Sequence, residues 1–386
     1  MKILIVALEP SGDNLGAGLI RALKAQAAGP IDFIGIGGPA MAAEGFVSAF
    51  GAEGMAIFGL DALGALLATW NRIEDVTRLA QAARPDAAVL IDSWLFNFLL
   101  AHRLRRRAPS VARIKYVAPQ VWASRSWRAR DLAKAVDHLL AIHSFEPPYF
   151  ERAGLATTFV GNPVLAAGAS KLSRAEACAA LGLDPGAPVL LLLPGSRAPE
   201  VRRLAPIYEQ AVARLMPQWP NLQLVLPLAD AVAGPVRAAV AAWRYPVRVV
   251  EGAAAGRDAM RAATVALAKS GTVTTELALA GAPMVVTYKV GFLTGKIVRA
   301  VIRTPYVSLI NIAAGREVAP EYLQEQCTPD LLAAALATRL DDADLRASQV
   351  SDQNAALEAM GRTIGDPSAR AAEAVLQVIA ARRQAP

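Results

Sequence analysis

One carboxylate in this sequence stands where a general base would be expected. Asp92 directly follows residues 87–91 (AAVLI), a short apolar run typical of a parallel strand covered on both faces. It should therefore lie at the carboxyl edge of a sheet, where ligands bind in open α/β folds. A carboxylate at that edge can accept a proton from an attacking hydroxyl group, or it can cap the helix that follows. The pattern leaves both roles open.

Two turns of small residues in the second half have the composition of an anion-binding site. Gly195-Ser196-Arg197 and Ser270-Gly271-Thr272 each follow an apolar run and precede a helical pattern. Backbone N–H groups at a helix start bind anions, and Arg197 adds a fixed positive charge. Glu276, one helical turn beyond Thr272, could reach ribose hydroxyls. The two turns together predict a nucleoside-diphosphate site, whereas the missing GxxxxGK[ST] spacing argues against a P-loop NTPase.

Two loops in the first half could contact a second, phosphorylated substrate. Glu9-Pro10-Ser11-Gly12-Asp13 follows the first apolar run, and its glycine lets a ligand approach the backbone. Residues 116–123 (YVAPQVWA), which include Trp122, are followed by Arg125 and two further arginines, whose guanidinium groups bind phosphate in bidentate fashion. A plain strand-to-helix turn and a solvated basic helix face are the alternatives for these two segments.

The elements that must position these loops are short strands. Apolar runs alternate with helical patterns along the chain, which is the rhythm of βαβ units. The runs are residues 3–7, 33–37, 87–91, 114–117, 138–142, 158–160, 189–193, 222–226, 247–250, 265–267 and 284–288. They predict an α/β fold of two doubly wound parallel sheets that face each other, with a cleft where the carboxyl ends of the strands meet.

A segment rich in glycine and small residues, 161–172, divides the chain into two expected domains. We place an N-terminal Rossmann-like domain at residues 1–165 and a C-terminal Rossmann-like domain at residues 166–366. The alanine-rich segment 368–386 has a helical pattern and is expected to pack back on the first domain.

The composition fits two globular domains with an anionic ligand. The 386 residues are 54% hydrophobic, enough to fill two cores, and the net charge of +7 suits phosphate or an acidic bilayer surface, although a general arginine enrichment would also produce it. Nucleic acid is not an expected partner, because the tryptophans are scattered rather than set along a basic face. Cys178 and Cys327 lack CxxC spacing, so neither a disulfide framework nor a zinc site is expected, and a reducing cytoplasm fits.

Two segments have the composition of a membrane contact. Residues 58–70 (FGLDALGALLATW) carry one charge, and residues 292–306 interleave apolar residues with lysine and arginine. No run reaches the roughly 18 to 20 apolar residues that a spanning helix needs, so the contact would be peripheral. Either segment would also suit a core helix or the interface of a homodimer.

A series of motifs along the chain resembles the lipid-A-disaccharide synthase family. In order they are SGDxLGAGL (11–19), GxGGPxMxxEG (35–45), YVAPQVWA (116–123), FExxYFxxxG (145–154), LLPGSRxxEV (192–201), KSGTxTTELALAGAPMVV (269–286) and YVSLxNxxAGRExxPExLQE (306–325). The resemblance covers nearly the whole chain.

The resemblance implies a GT-B fold and an inverting, metal-independent glycosyltransferase that needs no cofactor. Members of the family transfer 2,3-diacylglucosamine from its UDP-linked donor to 2,3-diacylglucosamine 1-phosphate, which forms the β(1→6) disaccharide of lipid A and releases UDP. The acceptor would bind the N-terminal domain and the donor the C-terminal domain, peripherally on the cytoplasmic face of the inner membrane, at an anionic surface.

The residue assignments follow from these motifs and loops. By resemblance, Asp92 is the general base. The predicted donor site comprises Gly195, Ser196, Arg197, Ser270, Gly271, Thr272, Glu276, Asn311 and Glu317, and the predicted acceptor site comprises Glu9, Ser11, Gly12, Asp13, Trp122 and Arg125.

The chain departs from the family pattern in its first half. Asp92-Ser93-Trp94-Leu95-Phe96 stands where members usually have Asp-x-Pro-Asp-Phe, so the second carboxylate is missing, and Asn162 stands where they usually have histidine. Leu8 likewise replaces a glycine. The alternatives are therefore a related UDP-sugar glycosyltransferase with a different lipid acceptor, a UDP-sugar epimerase on the same scaffold, or a non-catalytic UDP-sugar-binding homologue.

Overall fold

The computed structural model describes residues 1–50, 62–122, 127–229, 232–291 and 304–384, except the side chains of residues 62–66 and 167. Arg125, residues 58–61 of segment 58–70 and residues 292–303 of segment 292–306 lie outside the described residues. None of the described helices is long and apolar enough to cross a bilayer.

The strands of the described residues follow the predicted apolar runs, with one addition near the end of the second half. They are β1 (Lys2–Ala7), β2 (Asp32–Ile36), β3 (Ala87–Ile91), β4 (Ala112–Tyr116), β5 (His138–Ala141), β6 (Thr157–Phe159), β7 (Val189–Leu193), β8 (Gln223–Leu228), β9 (Val247–Glu251), β10 (Val265–Lys269), β11 (Met284–Tyr288) and β12 (Glu321–Leu323).

Helices fill most of the intervals between these strands. They are α1 (Pro10–Gln26), α2 (Pro39–Ala43), α3 (Ala62–Ala83), α4 (Trp94–Arg107), α5 (Trp127–Ala135), α6 (Pro147–Glu151), α7 (Pro163–Ala167), α8 (Arg174–Ala180), α9 (Ala198–Leu215), α10 (Ala233–Ala241), α11 (Ala253–Ala262), α12 (Val273–Leu279), α13 (Leu309–Ala314), α14 (Pro329–Asp341), α15 (Ala343–Ala359) and α16 (Pro367–Gln384), with a 3-10 turn at Gln324–Gln326.

The first half forms a six-stranded parallel sheet in the order β2-β1-β3-β4-β5-β6. Leu4 of β1 lies opposite Ile34 on one side and Ala88 on the other. Every residue of β3 is buried, because helices cover both faces of the sheet, and this explains why its sequence is continuously apolar.

The second half forms another six-stranded parallel sheet in the order β12-β11-β10-β7-β8-β9. Leu267 of β10 lies opposite Leu192 of β7 in its centre. The edge strand β12 was not predicted, because it is three residues long and only half-buried. The predicted α/β fold of two doubly wound parallel sheets is otherwise confirmed.

Each sheet has one point at which the direction of strand addition reverses. In the first sheet the chain passes from β1 to β2 on one side and later returns to β3 on the other, and in the second sheet β7, β8 and β10 repeat this pattern. The loops that follow the two central strands diverge there and leave a crevice at the carboxyl edge. Ligands of open α/β sheets bind at such switch points.

The chain divides into two compact units, of which the first is discontinuous. The first unit contains Met1–Ala166 together with Thr363–Pro386, and the second contains Ala167–Arg362. Helix α16 packs along α1 and buries Ala371, Val375 and Ile379 in the core beneath the first sheet. Gly18 permits this approach, since a Cβ at that position would lie 2.5 Å from the Ser368 hydroxyl.

Candidate active site

The loops that follow β1 and β3 meet at the switch point of the first sheet. The Ser11 hydroxyl donates to an Asp92 carboxylate oxygen at 3.3 Å, and the Ser93 hydroxyl donates to the Glu9 carboxylate at 3.0 Å. Both bonds are solvent-exposed. The sequence predicted Glu9, Ser11 and Asp92 from separate loops, and the structure brings these three side chains together.

Asp92 lies in a strained turn between β3 and α4. Asp92 and Ser93 have φ angles of 50° and 38°, in the left-handed region that residues with a side chain seldom adopt. Each such residue stores about 1–3 kcal/mol of strain and persists only where other contacts hold it. The Asp92 N–H donates to the Tyr116 carbonyl at 3.0 Å, and the Asn97 amide donates to the carbonyls of Ile91 at 2.8 Å and Asp92 at 3.0 Å.

A buried lysine that the sequence analysis did not single out lies against this turn. Lys115 is 2% exposed, and its ammonium group donates to the carbonyls of Asp92 at 2.5 Å, Tyr116 at 3.2 Å and Leu90 at 3.3 Å. Burial lowers the pKa of Lys115 to about 7, and the negative charges of Asp92 and Glu9 act in the opposite direction. The sequence did carry a signal for this residue, because Lys115 is the one charged residue in the apolar run 114–117.

Asp13 and Gly12, both predicted acceptor contacts, are buried in the first turn of α1. The Asp13 carboxylate is buried and accepts the N–H groups of Gly38 at 2.7 Å, Ala40 at 2.8 Å and Met41 at 3.1 Å, so it caps α2. Gly12 is also buried, and a Cβ there would touch the Ala7 side chain at 3.5 Å. The Asp13 carboxylate is thus occupied by backbone N–H groups, and the acceptor contacts of Gly12 and Asp13 stay predictions.

Trp122 is packed into the protein rather than presented to a ligand. It is 8% exposed, and its ring lies 5.5 Å from Phe145 in a perpendicular arrangement, while Phe145 stacks on His143 at 5.2 Å. The buried Glu146 accepts the His143 N–H at 3.0 Å, and burial raises the pKa of Glu146 to about 7. Trp122 thus supports the loop after β4, and its contact with the acceptor stays a prediction. Arg125, its predicted partner, lies outside the described residues.

The turn after β7 leads into helix α9, as its sequence predicted. Gly195 has a φ of 121°, and a Cβ there would lie 2.7 Å from the Glu200 Cβ, so only glycine fits. Ser196 and Arg197 are exposed at the start of α9. The Glu200 carboxylate accepts the Ser196 N–H at 3.2 Å and pairs with Lys269 at 3.1 Å, which joins this turn to the end of β10.

The turn after β10 lies at the same switch point. Gly271 and Thr272 are exposed at the start of α12, whereas Ser270 is buried and its hydroxyl donates to the Val307 carbonyl at 2.9 Å. Glu276 is half-buried in the first turn of that helix, and burial raises its pKa. The structure therefore brings the two predicted anion-binding turns together, with Ser270 as a support and its neighbours open to solvent.

Asn311 uses every hydrogen-bonding position of its side chain inside the protein. Its amide N–H groups donate to the Ala319 carbonyl at 2.7 Å and the Glu321 carboxylate at 2.9 Å, and its oxygen accepts the N–H groups of Val318 at 2.8 Å and Ala319 at 2.9 Å. Asn311 therefore supports the segment before β12, and its direct contact with UDP stays a prediction. Glu317 is exposed on the same segment.

The two switch points carry different chemistry. The first has two carboxylates with hydroxyl partners, Glu9 exposed and Asp92 half-buried, a set that can bind hydroxyl groups and remove a proton. The second has exposed helix starts beside Arg197 and Lys269, a set that can bind an anion such as a diphosphate.

Solved structures with a similar backbone define the class. The UDP-GlcNAc 2-epimerase of Neisseria meningitidis bound to UDP-GlcNAc has a TM-score of 0.64 at 15% identity, with 98% of this chain and 100% of that chain covered. Alr3699/HepE of Anabaena, in complex with UDP and glucose, has a TM-score of 0.57 at 14% identity, with 98% and 100% covered. The fold is therefore GT-B, the class of two-domain glycosyltransferases and sugar-nucleotide epimerases.

Sequence relatives then identify the family within this class. A model of the lipid-A-disaccharide synthetase family matches residues 3–375. The lipid-A-disaccharide synthases of Rhodospirillum centenum and Ruegeria pomeroyi are 43% and 42% identical to this chain, with 99% and 97% of the chain and 96% and 95% of the relatives covered. The chain belongs to the lipid-A-disaccharide synthase family. It is a glycosyltransferase of lipid A and lipopolysaccharide biosynthesis, as the motifs predicted.

Proposed function

We propose that this chain transfers 2,3-diacylglucosamine from UDP-2,3-diacylglucosamine to 2,3-diacylglucosamine 1-phosphate. The products are the β(1→6) disaccharide of lipid A and UDP. The family match over residues 3–375 is the observation that carries this proposal. The juxtaposition of Asp92 with Glu9 and Ser11 at the first switch point supports it independently.

The nucleotide donor binds at the second switch point in this proposal. The backbone N–H groups of the exposed residues Gly271 and Thr272 face the diphosphate together with the Ser196 hydroxyl, and Arg197 and Lys269 supply positive charge. Glu276 binds the ribose hydroxyls, and the exposed Glu317 completes the donor site. Two structural neighbours, one bound to UDP-GlcNAc and one in complex with UDP and glucose, support this choice of ligand. Because these cations and amides neutralise the departing diphosphate, the transfer proceeds without a metal ion.

Asp92 is the general base of the transfer. The acceptor 6-hydroxyl oxygen attacks the anomeric carbon of the donor sugar while the bond from that carbon to the diphosphate breaks. The hydroxyl proton passes to the Asp92 carboxylate, and UDP leaves with the electron pair of the broken bond. A single displacement of this kind inverts the anomeric centre. Glu9 and Ser11 hold the acceptor beside the base.

An assay of the purified full-length protein with the two lipids tests these assignments. UDP and disaccharide should appear together, and only when both lipids are present. Asp92→Asn should lower kcat by about 10²- to 10⁴-fold and leave UDP binding unchanged, because the donor residues lie on the other unit. Asp32→Asn is the matched control, since Asp32 is exposed at the opposite edge of the same sheet.

Three results would argue against the proposal. Undiminished turnover by Asp92→Asn would remove that residue from the role of base. If disaccharide formed only with a different lipid acceptor, the proposed acceptor would be wrong. UDP-sugar binding without turnover on any acceptor would indicate a binding protein.

We also propose that the first unit docks peripherally on an anionic membrane at the cytoplasmic face of the inner membrane. Leu67 and Trp70, one helical turn apart on α3, are 60% and 50% exposed. Arg103 of α4 lies over the Trp70 ring at 5.7 Å, and α4 ends in three exposed arginines, Arg105–Arg107. Apolar side chains beside a basic stretch are typical of an interfacial contact.

Vesicle sedimentation tests this docking. The protein should sediment with phosphatidylglycerol-containing vesicles and much less with phosphatidylcholine vesicles, since the arginines need anionic headgroups. Leu67→Glu with Trp70→Glu should abolish sedimentation, whereas Leu331→Glu, at an exposed leucine of the second unit, should leave it intact. Equal loss in both variants would refute the assignment of the surface.

A further inference from the structure

Strand β4 carries two buried cations with different partners. Arg113 is 3% exposed, and its guanidinium group pairs with the Asp137 carboxylate at 2.6 Å. Lys115, two residues along the same strand, donates instead to three backbone carbonyls that surround the turn after β3. Arg113 thus has the directly paired carboxylate that a buried charge normally requires, whereas the hydrogen bonds of Lys115 go to peptide carbonyls and the Asp92 and Glu9 carboxylates act on it without a hydrogen bond.

The carbonyl groups alone do not account for Lys115. The Asp92 carbonyl also accepts the Asn97 amide at 3.0 Å, and the Tyr116 carbonyl also accepts the Asp92 N–H at 3.0 Å. Both oxygens would therefore remain hydrogen-bonded if an apolar side chain replaced the lysine. A buried ammonium group is expensive to keep, so its presence at this turn points to a role beyond satisfying the backbone.

We propose that Lys115 is a positioning residue for Asp92, whose buried ammonium group holds the strained turn that presents the Asp92 carboxylate to the acceptor hydroxyl. This inference rests on the proposed function of Asp92 as the general base. The shortest hydrogen bond of the Lys115 ammonium group, at 2.5 Å, is to the backbone carbonyl of Asp92. Asp92 and Ser93 keep their left-handed φ angles only while such contacts hold them.

The protonated form of Lys115 is the one that performs this role. An ammonium group has three N–H donors for the three carbonyls, whereas the neutral amine has two donors and directs a lone pair at the third oxygen. The charged groups that act on Lys115 are the carboxylates of Asp92 and Glu9, which favour the protonated form, while burial lowers its pKa to about 7. The hold on the turn therefore weakens as the pH rises through neutrality.

The experiment compares Lys115→Met with Arg113→Met in the full-length protein. Both substitutions introduce the same unbranched, uncharged side chain, and each removes one buried cation from β4. Lys115→Met should lower kcat by about 10²-fold, because a small misplacement of a catalytic group has effects of that order. The KM of each lipid and the affinity for UDP should change by less than about threefold. Arg113→Met should keep kcat within about threefold of the wild type.

The pH profile separates positioning from general support of the fold. Wild-type kcat should fall as the pH rises above about 7, and this alkaline limb should be absent in Lys115→Met. Lys115→Arg, which keeps the charge, should recover more activity than Lys115→Met. Equal loss of kcat in the Lys115→Met and Arg113→Met variants, with the wild-type pH profile in both, would overturn the proposal.

Amide hydrogen exchange tests the same hold without relying on turnover. Lys115→Met should accelerate exchange across residues 91–97, and Arg113→Met should not. If the wild type forms no disaccharide, the proposed function fails, and exchange alone decides whether Lys115 holds the turn. Unchanged exchange in Lys115→Met would refute the inference, even for an active enzyme.

Discussion

Lys115 should make the stability of the wild type rise with pH above about 7, whereas it makes kcat fall over the same range. Replacing Lys115 by methionine should remove both effects. Burial lowers the pKa of Lys115 from 10.5 to about 7. Between these values the unfolded chain carries a proton that the folded chain has released, so the free energy of unfolding rises with pH across this window. Below pH 7 the buried charge destabilises the fold by its full amount.

The magnitude follows from the size of the shift. A lowering from 10.5 to about 7 corresponds to about 5 kcal/mol at low pH, of which about 3 kcal/mol disappears between pH 7 and about pH 9.5. Methionine does not titrate, so the unfolding free energy of Lys115→Met should rise by about 3 kcal/mol less than that of the wild type over this interval. Other titrating groups are common to both proteins and cancel in the comparison.

Urea unfolding of both proteins at the two pH values, followed by far-UV circular dichroism and tryptophan fluorescence, measures this difference. The slopes with respect to urea should agree between the two proteins, since the surface exposed on unfolding is the same. Parallel pH dependence in wild type and variant would show that Lys115 is not a buried titrating group. An alkaline fall in kcat would then not come from Lys115.

Three further changes probe other contacts. Gly195→Ala should raise the donor KM and destabilise the second unit by about 2 kcal/mol, because Gly195 has a φ of 121° and lies against the Glu200 side chain. Gly234→Ala is the control, because a Cβ at Gly234 would meet no atom within 4 Å. Equal unfolding curves for the two variants would contradict the strain assigned to Gly195. Glu321→Gln should cost about 2 kcal/mol in urea unfolding, since its carboxylate accepts two backbone N–H groups and the Ser308 hydroxyl, and an unchanged midpoint would refute that role. Deleting residues 367–386 should unfold the first unit, as seen by circular dichroism, while UDP binding to the second unit persists.

The fold was largely predictable because continuously apolar strands leave a clear pattern. β3 and β7, for example, are buried along almost their whole length, and their bounds match the predicted runs. β12 could not be predicted, because three half-buried residues at a sheet edge carry no periodic signal. Its position became apparent only through its pairing with β11.

The site was predictable where a residue follows a strand and faces solvent. Asp92, Glu9 and Arg197 are of this kind, and their placement follows from sheet topology alone. Asp13 and Asn311 look equally suited to ligands in the sequence, but their oxygens are used by backbone N–H groups from other segments. Such partners depend on the tertiary fold and leave no trace in local spacing.

The discontinuous first unit has a consequence for biosynthesis. Residues 167–362 are contiguous and can fold as soon as they leave the ribosome, whereas the first unit needs α16, which is made later. Until α16 is made, the face of α1 that packs against Ala371, Val375 and Ile379 stays exposed, and residues 1–166 form an incomplete domain. We therefore expect the second unit to fold before the turn that carries Asp92 is completed in the first unit.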